Sequence, residues 1–162
     1  MARTGLGFDS HRFAPGRPLI LGGVTIPHDE GLAGHSDADV LTHAVIDALL
    51  GAAGLGDIGQ HFPDTEERWA GADSLALLRA VVELVGAAGH RVGNVDATVM
   101  LERPRLAPHR DAIRASLAAG LGVAEADVNV KATTGEGMGF VGRAEGAAAL
   151  AVATLLDASR RG

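Results

Sequence analysis

Apolar residues recur along this chain with two periods, and each period predicts a different kind of element. Between residues 37 and 53, Leu41, Val45, Ala48, Leu49 and Ala52 return every three or four positions, which puts them on one face of a helix. Ser36 or Asp37 is the natural N-cap, and Asp39 completes a box-like pattern with Ser36. Residues 72–88 repeat the helical period through Leu75, Leu78, Val82 and Val85, and Gly89 suits the left-handed position past a helix end. A third helix is expected over 109–121, closed by Gly122. The period of two appears over 92–101, where Val95, Ala97, Val99 and Leu101 share one side. It returns over 127–134, where Val128, Val130 and Ala132 oppose Asn129, Lys131 and Thr133. Residues 3–13 alternate weakly between glycines and predict a first strand ending in polar residues. Leu19–Leu21 and Val24–Ile26 flank Gly22-Gly23, the turn chemistry of a hairpin. The alanine-dense run 144–158 predicts a final helix.

These elements predict one α/β (α+β) domain over residues 1–162, in two layers. A mixed β-sheet carries helices packed on one face, with a short β-hairpin beside it. No internal repeat or linker interrupts the chain.

Composition changes this picture in three ways. Aromatic residues make up 3% of the chain, with no Tyr and one Trp, so Ala, Val and Leu build the interior. Oligomerisation is one common route to further burial for such a core. The net charge of −6 leaves no basic block to meet nucleic-acid phosphates. The absence of Cys excludes disulfides, thiolate metal ligands and a cysteine nucleophile. The first ten residues lack the apolar segment of a signal peptide, and the apolar run 146–156 is too short to span a bilayer. A cytoplasmic protein with no nucleic-acid or membrane partner is expected.

Candidate chemistry comes next. Asp9 and His11 stand two apart on the first strand, so their side chains leave the same face. A carboxylate and an imidazole so placed need one more imidazole to make a three-ligand zinc site with an open fourth position. His43, on the first helix, is the candidate. A polar strand end and an ordinary helix histidine would look the same by spacing. The helix start around His35 to Asp37 has backbone N–H groups that could hold an anion.

Two stretches, GLGDIG at 54–59 and GMGFVG at 137–142, match the dinucleotide-binding glycine pattern. The first follows a helix, and the second leaves no room for a following strand, so both fail that context. Lys131, Thr133, Thr134 and Glu136 gather at the end of a strand. Backbone N–H groups there could line a phosphate, with Glu136 as a hard oxygen ligand for Mg²⁺. An ordinary strand-to-helix turn is the plain alternative.

Five motifs occur in one order: GFDSH at 7–11, HSDADV at 35–40 with His43-Ala44, GDIG at 56–59 with FPD at 62–64, NVKATT at 129–134, and GFVGR at 139–143. In this the chain resembles the 2-C-methyl-D-erythritol 2,4-cyclodiphosphate synthase family of the non-mevalonate isoprenoid route, over nearly its whole length. The resemblance implies a homotrimer with active sites between subunits. It implies zinc on Asp9, His11 and His43, and a second divalent ion, Mg²⁺ or Mn²⁺, on Glu136. His35 and Thr134 are implied as catalytic residues that stabilise the transition state.

For the substrate, the resemblance implies that Asp57, Ile58, Gly59, Phe62, Pro63 and Asp64 hold the methylerythritol end, with Asp9, His11, His35 and Ser36 beside it. Leu101, Pro104, Arg105, Leu106, Ala107, Ala132, Thr133 and Thr134 are implied to surround the cytosine nucleotide. Phe140 and Arg143 are implied to complete the pocket or the trimer axis, where a prenyl diphosphate-like ligand is a candidate.

The implied reaction closes a cyclic diphosphate and releases CMP. Alternative readings are a zinc-dependent phosphohydrolase and a non-catalytic trimer that binds nucleotides or prenyl diphosphates. Three positions depart from the family pattern. Ala38 stands where Gly is frequent and is expected to be benign on a helix. Arg105 stands where Lys is common. Gly135 stands where a side chain is usual and is expected to loosen the backbone before Glu136.

Overall fold

The computed structural model describes residues 1–158. Strand β1 (Ala2–Pro15) leads to a hairpin of β2 (Leu19–Leu21) and β3 (Val24–Ile26), then to the short β4 (Glu30–Leu32). Helix α1 (Val40–Ala53) and a single turn, α2 (Ile58–His61), precede α3 (Ser74–Ala87). Strand β5 (His90–Met100), helix α4 (Arg110–Leu121), strand β6 (Val128–Thr133), the short α5 (Gly139–Gly142) and strand β7 (Gly146–Asp157) complete the chain.

The main sheet has the order β4-β1-β7-β5-β6. Only β5 and β6 run parallel; β7 is antiparallel to both β1 and β5. One face is buried under α1, α3 and α4, as the predicted two-layer arrangement requires. Val95, Ala97 and Val99 from β5, Val128 and Val130 from β6, and Ala147, Ala149, Ala151, Ala153 and Leu155 from β7 all point into that core. The opposite face carries Leu6, Phe8, Leu150 and Val152, all exposed.

The largest departure from expectation is β7. Residues predicted as a final helix form the central strand of the sheet. Alanine favours helix by propensity, but tertiary pairing with two neighbours overrides a preference worth well under about 1 kcal/mol per residue. The run does alternate, with alanines toward α1 and Leu150, Val152 and Leu156 toward the bare face. Small residues on the helix side fit the close approach of α1, whose fourteen residues are buried on nearly all sides.

Helix α1 also starts later than expected. Asp39 is the N-cap, taking the Thr42 N–H at 3.0 Å, so residues 35–38 form a turn and not a first helical turn. Two of their N–H groups are engaged, Asp37 donating to Ala72 O and Ala38 to Ser36 Oγ. Of the N–H groups expected to cradle an anion over 35–37, that of Asp37 is thus taken, and the segment lies ahead of the helix end. Ala38 lies off the helix with φ of 56°, a left-handed conformation that costs a residue with a Cβ about 1–2 kcal/mol, so it is not benign in the expected sense. Gly135 is not a loosening element either. A Cβ there would lie 2.5 Å from Gly142 N, and its N–H donates to Glu102 Oε2 at 2.9 Å.

Among the described residues no helix is long and apolar enough to cross a membrane.

Candidate metal centre and substrate clefts

Gly5, Gly7, Asp9 and His11 alternate along β1 and so share its helix-facing side. A Cβ on Gly5 would lie 2.0 Å from Ala48 O, and one on Gly7 1.8 Å from Ala44 O. Missing side chains on the strand thus let α1 lie directly on it, and this contact brings His43 over Asp9 and His11. Asp9 Oδ2 stands 2.8 Å from His11 Nε2 and 3.1 Å from His43 Nδ1, and the two imidazole nitrogens are 3.4 Å apart. Tetrahedral ligands at zinc bond lengths of about 2.0–2.1 Å stand about 3.3 Å from one another. One carboxylate oxygen and two imidazole nitrogens at these separations fit a divalent metal with an open position. It is the one such cluster of three among the described residues, and Glu136 is not in it.

Each imidazole presents the correct nitrogen because its other nitrogen is held. His11 Nδ1 donates to Ala33 O at 2.7 Å, so Nε2 faces the cluster. His43 Nε2 meets Ser74 Oγ at 2.8 Å and Ser36 Oγ at 3.2 Å, leaving Nδ1 for the cluster. Burial pushes the Asp9 carboxyl up, but hydrogen bonds from His11 and His43 and their charges outweigh it, holding its pKa at about 2. Burial pushes His11 down, and its hydrogen bond to Asp9 and the carboxylate charge more than offset this, raising it.

A cleft of about 390 Å³ opens beside the cluster, lined by Asp9, His11, His43, His35, Ser36, Ile58, Gly59, Phe62, Asp64 and Trp69, among others. The predicted methylerythritol set thus meets the predicted metal set, except that Asp57 and Pro63 do not line this cleft. Asp57 instead caps α2 through the Gln60 N–H at 3.0 Å. Asp47, one turn beyond His43, accepts the Ile58 N–H at 2.7 Å and so ties the 54–65 loop to α1. Burial raises its pKa. Trp69 packs edge-on against Phe62, 5.0 Å between centroids, and its Nε1 is buried without a hydrogen-bond partner.

A second cleft of about 190 Å³ lies at the other end of the sheet. It gathers Leu101, Pro104, Arg105, Leu106, Ala107, Ala132, Thr133 and Thr134, the whole of the predicted nucleotide set. Glu136 sits beyond it in an exposed turn at φ 53°, with its N–H donating to Thr134 Oγ1 at 3.2 Å. Between β1 and β6 lie β7 and β5, so the two clefts are separated by three strand spacings, about 14 Å. Phe140 belongs to neither cleft; it is exposed beside Ser10, Arg12 and Glu145. Arg143 is exposed and bonds Glu145 Oε1 at 2.9 Å.

Sequence reasoning missed four contributors. Arg17 donates to Gly34 O at 2.9 Å and Ser36 O at 2.7 Å, pinning the turn that carries His35. Ser74 and Asp37 hold His43 from behind, and Trp69 walls the cleft. No local spacing signals any of these. Of the histidines expected to be solvated, His61 Nε2 donates to Leu55 O at 2.8 Å, and His90 is largely buried. Phe8, like Phe140, is exposed.

Fold and site together define an α/β domain with a candidate Asp-His-His metal centre at the mouth of a cleft. The chain belongs to the YgbB family, which it matches over residues 2–156. It is 64% identical over 156 residues to the 2-C-methyl-D-erythritol 2,4-cyclodiphosphate synthase of Salinibacter ruber, covering 96% of this chain and 99% of that one. Among solved structures it superposes on the bifunctional IspDF of Campylobacter jejuni with a TM-score of 0.94 at 44% identity, covering 99% of this chain and 44% of that one. It superposes on a CDP-bound 2C-methyl-D-erythritol-2,4-cyclodiphosphate synthase with a TM-score of 0.88 at 42% identity, covering 95% and 100%.

Proposed function

We propose that this chain is a cyclodiphosphate synthase of isoprenoid precursor biosynthesis, acting on 4-diphosphocytidyl-2-C-methyl-D-erythritol 2-phosphate. The observation that carries the reading is the convergence of Asp9, His11 and His43 on the cleft, in a chain of this family. An oxygen of the substrate's 2-phosphate forms a bond to its own β-phosphorus. The bond from that phosphorus to the oxygen bridging to CMP breaks, and CMP leaves with the electron pair. No water is consumed, so the product is a ring.

A phosphate oxygen is already ionised near neutral pH, with a second pKa of about 6, so no protein nucleophile is needed. The barrier lies in bringing anions together in line. Zinc on Asp9, His11 and His43, and Mg²⁺ or Mn²⁺ on Glu136, would supply Lewis-acid neutralisation of that charge. His35 and Ser36 at the rim of the first cleft, and Thr134 at the second, donate hydrogen bonds to phosphate oxygens. The 57–64 segment, with Phe62 and Trp69 as apolar walls, holds the methylerythritol end folded back and makes the attack intramolecular. Leu101, Pro104, Arg105, Leu106, Ala107, Ala132 and Thr133 seat the cytidine.

Two clefts on opposite sheet edges call for assembly. We take the functional unit to be a homotrimer in which the β1 edge of one copy lies beside the β6 edge of the next. Such a head-to-tail contact closes into a ring and unites the clefts between subunits. The exposed Leu6 and Phe8, at 67% and 54%, with Leu150 and Val152 beside them, supply an apolar face for it. Arg12, Phe140 and Arg143 are the candidate seat for a prenyl diphosphate-like ligand on the axis.

The test is ³¹P NMR of the purified protein with the cytidine diphosphate substrate, Zn²⁺ and Mg²⁺. A cyclic diphosphate signal with stoichiometric CMP is expected. A linear phosphate product would assign a hydrolase, and an unchanged spectrum a binding protein. His43→Ala is expected to lose bound zinc and at least about 100-fold in turnover; wild-type turnover in a verified zinc-free variant would refute the metal's role.

A further inference from the structure

His43 touches the candidate metal cluster with Nδ1, and its orientation is set by what Nε2 meets. Ser74 Oγ, fully buried at the first position of α3, lies 2.8 Å from Nε2, closer than Ser36 Oγ at 3.2 Å. Behind it, Asp37 Oδ1 accepts from Ser74 Oγ, and Asp37 Oδ2 accepts the Ser74 N–H at 2.9 Å. Asp37 Oδ1 also takes the Asp39 N–H at 3.1 Å. Every partner of this carboxylate is a donor, as an ionised acid requires. A serine hydroxyl has one hydrogen, and here it is committed to Asp37. Ser74 Oγ can therefore only accept from His43, which puts a hydrogen on Nε2 and leaves the Nδ1 lone pair free for a metal.

We propose that Asp37 and Ser74 act as a positioning relay that fixes the tautomer and orientation of His43 as a metal ligand. The relay rests on the metal-centre reading given above. Neither residue touches the cluster, and each acts through the imidazole. His11 is oriented by a backbone carbonyl, which no substitution of its own residue removes, so the relay is the side-chain-encoded half of the site. It also couples the start of α3 to β1 through His43, making placement of α3 a condition of metal affinity. Hydrogen-bond partners of this kind, one step behind a ligating histidine, change metal affinity by about 10–100-fold when removed.

The experiment measures zinc dissociation constants by chelator competition for the full-length wild type, Ser74→Ala, Asp37→Asn and the double variant. Thermal midpoints of the metal-free proteins and the His43 Nε2–H signal of the zinc-loaded proteins are recorded alongside. Each single variant is expected to weaken zinc at least about tenfold. The double variant should be little worse than either, because both changes break one chain of bonds. The Nε2–H resonance, slow to exchange in the wild type, should broaden in Ser74→Ala.

Wild-type zinc affinity in both single variants would overturn the relay while leaving the metal centre standing. Independent, additive losses would overturn it as well, as would a loss of metal-free thermal midpoint with zinc affinity unchanged. Failure of the wild type itself to bind zinc would instead overturn the metal-centre reading, and the relay with it.

Discussion

Asp9 sits between the imidazoles of His11 and His43, both within hydrogen-bond distance of its Oδ2. Its folded pKa of about 2 lies below the ordinary 3.8, because the bonds from His11 and His43 outweigh burial. The stabilisation it brings is present above about 3.8 and is lost as pH falls toward 2. His11 is shifted the other way, above 6.5, so its contribution is complete below 6.5 and is lost as pH rises through the folded value. The metal-free protein should therefore gain most from this pair between about pH 4 and 6.5. Thermal midpoints of chelator-treated protein should show a maximum in that window, and His11→Gln should flatten the alkaline limb; an unchanged limb would count against the pair. Zinc displaces the same protons, so its binding should strengthen as pH rises across the window. The motif GFDSH made Asp9 and His11 candidates. Their mutual distance to His43 lay in no local pattern, because 34 residues separate Asp9 from His43 in the chain.

The decisive packing event at the level of elements is α1 lying on β1. Gly5 and Gly7 permit it, and the alanine row of β7 continues the same shallow floor. Gly7→Ala would drive a methyl to 1.8 Å from Ala44 O, where the obstacle is helix backbone. Overpacking of this kind costs about 1–3 kcal/mol and more where backbone must move. Urea unfolding of Gly7→Ala should show at least the upper part of that loss, and zinc affinity should fall because His43 rides on the displaced helix. A variant with wild-type stability and affinity would refute the close-approach role. Those glycines looked in the sequence like interruptions of a strand. Their spacing of two, continued by Asp9 and His11, carried the information that they share a face with the ligands. Asp39 illustrates the reverse case. It reads as the closing residue of a capping box, three beyond Ser36, yet it is itself the cap and also accepts the N–H groups of Gly22 and Gly23 at 2.9 and 2.7 Å. A hairpin turn 16 and 17 residues upstream thus holds the helix cap, which no local rule contains.

The whole molecule presents two incomplete clefts and one bare apolar sheet face. The proposed trimer would resolve both at once. Leu6→Glu, placed on that face and away from the candidate ligands, should leave the monomer folded and its zinc bound while shifting sedimentation from trimer to monomer. Turnover should fall with the assembly, since the nucleotide cleft would lose its partner. A monomeric variant with full turnover would sink the shared-site arrangement. The low aromatic content made oligomerisation one route to further burial. Which face is left open depends on the order of strands, and that order is set by pairings between distant residues.

The sequence by itself determined the parts whose energetics are local. Helices α1, α3 and α4, the β2–β3 hairpin and strands β5 and β6 follow from periodicity and turn chemistry, and the ordered motifs named the candidate ligands. Only the tertiary structure decided that residues 146–157 are a central strand, because alanine's small helix preference yields to pairing on both edges. It alone joined Arg17, Asp37, Ser74 and Trp69 to the candidate site, and it alone set the candidate metal ligands and the predicted nucleotide set in two separate clefts. Local preferences act over a few residues. Close packing acts wherever distant segments meet, and at this site it selected among alternatives that the chain's local chemistry left nearly equal.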